Sequence, residues 1–226
     1  CWRQVLAVVH AEKKLVFIHV PRTGGQTVKE AFGADGEWEW GVTHYCYAYQ
    51  RELLEKAERS LCLDYVHFAV VRNPWDKMVS MWEYRRYHKD RESGTRDLDF
   101  EDWVRWIYDE GREGYWTDKC HNELDVEFAL GDCLNWVEHE LTPAQTRQFR
   151  YLRFERLEAQ VRALAELAGV QVAELFPRKN ASLERLHADY REYYQSEDVI
   201  RLVGAHHEKD VERFGYKFEQ TGKELA

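Results

Sequence analysis

Apolar residues in the first seventy positions come in short unbroken runs, VLAVV (5–9), LVFIHV (15–20) and YVHFAVV (65–71), rather than at helical spacing. Runs of this length, rich in β-branched and aromatic residues, predict strands. The polar HAEKK between the first two predicts a hairpin that feeds a buried strand. Beyond Gly24-Gly25, TVKEAF opens a helix, and helical spacing returns in YAYQRELLEKAERSL (47–61). Asp76, after Asn73-Pro74-Trp75, predicts a capped helix through about Tyr87, because an aspartate there accepts a hydrogen bond from an orphan backbone N–H. The polar HKDRESGTRD (88–97) reads as a loop and residues 99–110 as a Trp-rich helix, while 111–140 reads as mixed. TPAQTRQF (142–149) predicts a short helix, YLRFERL (151–157) a strand entering the helix LEAQVRALAELAG, and 196–214 one terminal helix. Strand and helix alternating in this order predict an α/β sandwich on a mainly parallel sheet.

Composition adds limits. A chain of 226 residues with 44% hydrophobic and 14% aromatic content buries one substantial core, so a single domain over 1–226 is expected. The net charge of -9 argues against holding nucleic acid or an anionic membrane by bulk electrostatics, so any anion is bound locally. No apolar run approaches the roughly 18 residues of a membrane span, and CWRQVLAVVHAEKK lacks a signal peptide's layout, so the expectation is a soluble, cytoplasmic chain. Cys1, Cys46, Cys62, Cys120 and Cys133 are odd in number and form no CxxC pair, which reads as mostly free thiols, in a reducing compartment or as incidental core residues. Oligomeric state has no signature here.

The stretch KLVFIHVPRTGGQTVKEAF (14–32) runs from strand through a Gly-Gly turn into helix, in the manner of a phosphate-binding loop. Laid on the pattern GxxxxGK(S/T), it puts Val20 on the first glycine and Gln26 on the lysine. Two defining residues of the nucleoside-triphosphate loop are therefore missing. What remains is still a phosphate cradle, because glycines let backbone N–H groups approach an anion and the helix presents its positive end. The cation has moved to Arg22. The neighbouring strand FAVV runs into Arg72, where a triphosphatase carries a magnesium-holding aspartate. A guanidinium clamps phosphate rather than a cation, and Ser80, eight residues on, adds a hydroxyl. The two stretches suit a ligand with two separate phosphate groups, bound without metal.

FIHVPRTGGQT resembles the 5'-phosphosulfate loop of sulfotransferases, and FAVVRNPWDKMVSMW resembles their 3'-phosphate motif. RKNAS (178–182), DYREYY (189–194) and EKDVERFGY (208–216) are similar to the closing segments of the branch that contains the carbohydrate 2-O and 6-O sulfotransferases and small bacterial relatives; 91–145 matches no named segment. The resemblance implies a P-loop-containing three-layer sandwich. It also implies 3'-phosphoadenosine 5'-phosphosulfate (PAPS) as donor and 3'-phosphoadenosine 5'-phosphate (PAP) as product. By the same resemblance, Thr23, Gly24, Gly25, Gln26 and Thr27 cradle the 5'-phosphate, Arg72 and Ser80 hold the 3'-phosphate, and Arg178 with Lys179 closes over it.

In-line transfer needs a base on the acceptor proton, a cation on the departing oxygen and donors around the sulfuryl group. Arg22 stands where the family usually has lysine; it can stabilise leaving-group charge but does not give up a proton. His44, in GVTHY, is the expected base, with Asp35, Glu37 and Glu39 as substitutes. His19 and His67 lie within strands and read as packed, and His206-His207 sits in a helix with no companion ligands in view. The aromatic stretches 38–49 and 103–108 either stack on a ring of the ligands or fill the core. The acceptor stays open among small molecule, sugar, tyrosine and lipid, with the acidic residues of 109–127 favouring a small or neutral one. A divergent kinase, which needs ATP and magnesium, and a non-catalytic binding module of the same fold are the alternatives.

Overall fold

The computed structural model describes residues 8–33, 35–36, 38–40, 65–88, 98–109, 131–138, 146–147, 149–177 and 185–219. The chain divides into two compact units, Cys1–Val71 with Leu134–Asn180 and Arg72–Cys133 with Ala181–Ala226.

Among the described residues the first unit holds five strands, β1 (Val8–His10), β2 (Leu15–Ile18), β3 (Glu39–Trp40), β4 (Val66–Val71) and β5 (Phe149–Arg153), in the spatial order β3-β1-β2-β4-β5. The hairpin expected from HAEKK is present: β1 and β2 pair antiparallel from Val8↔Phe17 to His10↔Leu15, and Lys14 closes the turn at φ 52°. β2, β4 and β5 are parallel, in register from Leu15↔Val66 to Ile18↔Ala69 and from His67↔Phe149 to Val71↔Arg153. Leu15 to Ile18 and His67 to Val71 are all buried. Burial on both faces is what makes these strands read as continuous apolar runs. The fold is the α/β sandwich with a parallel centre that the alternation predicted.

Helices α1 (Gly25–Phe32) and α5 (Leu157–Ala168) cover one face, where Leu15, Phe17, Phe68 and Val70 meet Val28, Phe32, Leu157 and Val161. Helix α5 ends at Gly169, whose φ of 65° favours glycine, with the Val170 N–H donating back to Ala165 O at 2.9 Å. A two-residue strand such as β3 is too short to show a period in the sequence.

The second unit is helical: α2 (Pro74–His88), α3 (Phe100–Asp109), α6 (Glu197–His206) and α7 (Glu208–Phe214), with a 3-10 turn at Tyr190–Tyr193. Its core joins Trp75, Met78, Trp82, Phe100, Trp103, Ile107, Tyr194, Val199 and Val203. Trp103 is therefore a core residue, and Trp106 packs against that core. The short α4 (Cys133–Glu138) follows the buried Asp132.

Boundaries differ from expectation at β5, which occupies Phe149–Arg153 rather than 151–157 and is followed by a 3-10 turn at Phe154–Arg156, and at two helices. Helix α2 is capped by Asn73, not Asp76: Oδ1 of Asn73 accepts the N–H groups of Trp75 (3.1 Å) and Asp76 (3.4 Å). Proline occupies the first helical position, where its missing N–H costs nothing, so the cap falls one residue earlier and Asp76 is freed for other partners. The terminal helix is broken at His207, because Asp132 Oδ1 accepts the Asp210 N–H (2.8 Å) and His207 is drawn into the interior. The predicted helices over 47–61 and most of 142–149 lie outside the described residues.

Candidate functional site

In the first unit the loop from His19 to Gly24 leaves β2 and delivers the chain into α1. Arg22 adopts φ 62° and Gly24 φ 90°, both left-handed. For arginine that conformation costs of order 1–3 kcal/mol, the kind of strain concentrated where a ligand is gripped. Thr23 is fully buried and its Oγ1 donates to Val20 O at 2.9 Å, tying the loop's two sides together. The α1 ladder begins with Val28 N–H donating to Gly24 O at 3.1 Å. Gly25, Gln26 and Thr27 thus stand in the first turn, whose amides a helix leaves without an intrahelical acceptor.

Both glycines are dictated by neighbours. A Cβ on Gly25 would lie 1.9 Å from His19 Cδ2 and 2.0 Å from Nε2; one on Gly24 would lie 2.9 Å from the Phe154 ring. His19, itself buried and stacked on Phe17 at 5.8 Å between centroids, is the floor of the loop. It was read as packed, and it is. His67 is likewise buried against Phe149, and burial, only partly offset by a hydrogen bond at the Tyr65 backbone, lowers its pKa to about 4. Asp35, a substitute base in the sequence reading, accepts from Gln171 N–H (2.9 Å) and pairs with His10 Nε2 (2.9 Å), which ties it to the fold of this unit.

In the second unit Arg72 and Ser80 are both buried. Arg72 Nε donates to Asp76 Oδ2 at 2.7 Å, and Asp76 Oδ1 accepts from Arg185 Nη2 at 2.8 Å. Ser80 is one turn beyond Asp76 on the same flank of α2. Burial opposes the charge on Asp76, but Arg72 and Arg185 outweigh it and hold the carboxyl below its ordinary range. One further turn along, Glu83 accepts the Leu186 N–H (2.9 Å), the Tyr193 hydroxyl and the Arg86 guanidinium (2.9 Å). Asp76 and Glu83 thus anchor the segment that begins at Arg185.

His207 has companions that were not visible in the sequence. Ligand atoms of Asp132, His207 and Asp210, all buried, lie within 4.8 Å of one another. Asp210 Oδ2 accepts the Cys133 N–H at 2.6 Å, and Nε2 of His207 is 3.1 Å from the Tyr108 hydroxyl. Lys77, fully buried, donates to Gly131 O at 2.7 Å and adds a positive charge beside the carboxylates. Burial nevertheless raises the Asp132 pKa to about 6, holds the His207 imidazole neutral and pushes the Cys133 thiol up. The cluster is composed as a buried charge network that ties α2 and α7 to the segment 131–133.

The sequence-predicted residues thus fall into two groups. Arg22, Thr23, Gly24, Gly25, Gln26 and Thr27 are brought together by one loop in the first unit. Arg72 and Ser80 belong to the second, where Asp76, expected only as a helix cap, bonds Arg72 and Arg185, the latter not assigned from the sequence. Asp76 had a local signal, the i,i+4 spacing from Arg72. Arg185 had none. His44, Glu37, Arg178 and Lys179 lie outside the described residues, as does the side chain of Glu39.

Compared with known proteins, the chain matches the family described as the sulfotransferase family over residues 6–217. It is similar to carbohydrate sulfotransferase 10 of Xenopus laevis, 25% identical over 181 residues that cover 68% of this chain and 48% of that protein. The chain thus spans about half the length of the curated relative it matches. No solved structure matches it. Among the described residues no helix is long and apolar enough to cross a membrane.

Proposed function

Because the chain belongs to the sulfotransferase family, we propose that it moves the sulfuryl group of PAPS onto a hydroxyl, or an amine, of a carbohydrate or other small acceptor and releases PAP. The observation that carries the reading is the loop closed over His19: two glycines, neither able to accept a Cβ without displacing a neighbour, bring the amides of Thr23 to Thr27 to the start of α1. Such amides suit an anionic oxygen and need no metal. Arg72 and Ser80 follow β4, the parallel neighbour of β2, in the order that a donor with a second phosphate requires. The family match runs through both compact units, so the proposal treats 1–226 as one enzyme domain.

In this reading the acceptor oxygen forms a bond to sulfur as the bond from sulfur to the 5'-phosphate oxygen breaks. His44 takes the acceptor proton, and Arg22 offsets the charge that develops on the departing phosphate. Arg178 and Lys179 close on the 3'-phosphate. A carbohydrate acceptor is favoured by the name of the relative from Xenopus laevis. A cytoplasmic location stays with the reading of the sequence.

The test is thermal unfolding with PAP, with AMP and with ATP plus magnesium. A ligand at a hundred times its Kd stabilises the native state by about 2.7 kcal/mol, several degrees for a chain of this size. A shift with PAP that exceeds the shift with AMP and is lost in Arg72→Ala is expected. A shift only with ATP and magnesium, or none with any nucleotide, refutes the donor assignment. Loss of turnover, but not of PAP binding, in His44→Ala tests the base.

A further inference from the structure

Arg72 is not a lone cation. Its Nε lies 2.7 Å from Asp76 Oδ2, and both side chains are largely buried, so the two charges close on each other. The pair is neutral overall. A phosphate monoester carries about -1.5 to -2 at neutral pH, and a neutral pair offers such an ion hydrogen bonds but little field. The net positive charge of this group comes from Arg185, bonded to the other oxygen of Asp76 at 2.8 Å. Among the described residues the neighbouring acids do not cancel it, since Glu83 is paired with Arg86 at 2.9 Å and Asp189 with Arg191. Arg185 is held besides by the Tyr193 ring, 5.6 Å from its guanidinium carbon, while its buried Nε has no hydrogen-bond partner among the described residues.

We infer that Arg185 is a specificity-determining residue for the 3'-phosphate: through the shared carboxylate of Asp76 it orients Arg72 and supplies the positive charge by which the chain distinguishes a 3'-phosphorylated nucleotide from its 3'-hydroxyl counterpart. The inference rests on the reading that Arg72 and Ser80 hold that phosphate. It differs in putting the discriminating charge on a residue 113 positions from Arg72 (185 minus 72), outside both motifs. Arg185 acts in two ways here, on the orientation of Arg72 through Asp76 and on the phosphate through its own charge, and a role confined to stability would weaken every nucleotide alike.

The experiment is calorimetric titration of PAP and of AMP into the whole chain, as wild type, Arg185→Gln and Arg185→Lys. A charge-assisted contact is worth about 1.5–3 kcal/mol, which converts to roughly tenfold to a hundredfold in affinity. Arg185→Gln is therefore expected to weaken PAP by about that factor with AMP unchanged, and Arg185→Lys to recover most of the difference by restoring the cation. Arg185→Met, which keeps the stem packed over Tyr193, replaces the glutamine variant if that protein does not fold. An unchanged ratio of PAP to AMP affinity in the uncharged variant overturns the inference and leaves the donor reading standing. An equal loss for both ligands overturns it too, since that is the mark of a structural role. A wild type that does not prefer PAP to AMP refutes the donor reading itself.

Discussion

Gly25→Ala isolates the physical basis of the loop. Gly25 has an ordinary helical backbone, so alanine there meets no conformational objection and, as a better helix former, would gain up to about 1 kcal/mol. What it meets is His19. The added Cβ would lie 1.9 Å from Cδ2, whereas an ordinary contact starts at 3.4 Å, so the ring must retreat by 3.4 − 1.9, about 1.5 Å. The ring has little room, being buried and stacked on Phe17, which itself stacks on Phe68 at 5.0 Å. Overpacking of this kind costs about 1–3 kcal/mol, so after the helix gain the net loss is about 0–2 kcal/mol, or up to roughly 8 °C in Tm.

A double-mutant cycle separates this cause from a general sensitivity of the loop. With His19→Ala in the background the obstructing ring is gone, and Gly25→Ala should become neutral or stabilising, a coupling of about 1–3 kcal/mol. Gly24→Ala is the control. Its cost comes from φ 90° and from Phe154 and Leu157, so removing His19 should not relieve it. The assay is urea unfolding of wild type, the three single variants and the two doubles, repeated with PAP. If Gly25→Ala and His19→Ala add to within about 0.5 kcal/mol, the ring does not floor the loop and the account of Gly25 is wrong.

Three further outcomes follow from the same structure. Lys77→Met should cost about 1–3 kcal/mol in urea unfolding, because it removes the bond to Gly131 O and a positive charge that favours ionisation of the buried Asp132; an unchanged midpoint would mean that Lys77 does neither. Asn73→Ala removes the α2 cap and the bond to Lys217 O (3.2 Å), for an expected loss of about 1–3 kcal/mol in the same assay; an unchanged midpoint would return the cap to Asp76. His67, with a folded pKa lowered to about 4 against an ordinary 6.5, refuses protons that the unfolded chain accepts, so its contribution is full above pH 6.5 and is lost as pH falls towards 4. Asp132, raised to about 6, acts in the opposite sense. His67→Phe isolates the histidine: the stability difference between pH 7 and pH 4.5 should shift in favour of the low-pH side by about 2–3 kcal/mol relative to wild type, and an unshifted difference would show that His67 is not held neutral.

What could be read in the sequence was what short stretches decide for themselves. The loop was legible because strand, glycines and helix are contiguous, and a turn of that kind has few solutions. The parallel centre was legible because strands buried on both faces lose their polar alternation. Asp76 was misassigned as a cap for a local reason: Pro74 takes the first helical position, which moves the cap to Asn73 and releases Asp76 to Arg72 and Arg185. The remainder depended on partners far apart in the chain. Asp132 and Asp210 are 78 residues apart, Asp76 and Arg185 109, Glu83 and Tyr193 110, and no spacing rule reaches so far. The break at His207 belongs with them, since a uniform helical pattern through 196–214 carries no sign that Asp132 will take the Asp210 amide.

These long-range pairs also bear on how an acidic chain would hold an anion. With a net charge of -9, the whole molecule repels a polyanionic nucleotide, so attraction has to be generated within a few ångströms of each phosphate. The two units would do this by different physical means. In the first, backbone amides and a helix terminus act as fixed dipoles whose placement depends on shape, so a Cβ at Gly25 bears on that placement although it changes no charge. In the second, side chains carry the charge, and burial forces each guanidinium to be matched by a carboxylate. Matching Arg72 with Asp76 alone would satisfy burial and abolish the field. Sharing that carboxylate with a second arginine satisfies burial and keeps one positive charge in excess, which is the basis for inferring that Arg185 would act with the arginine of the motif on an anion.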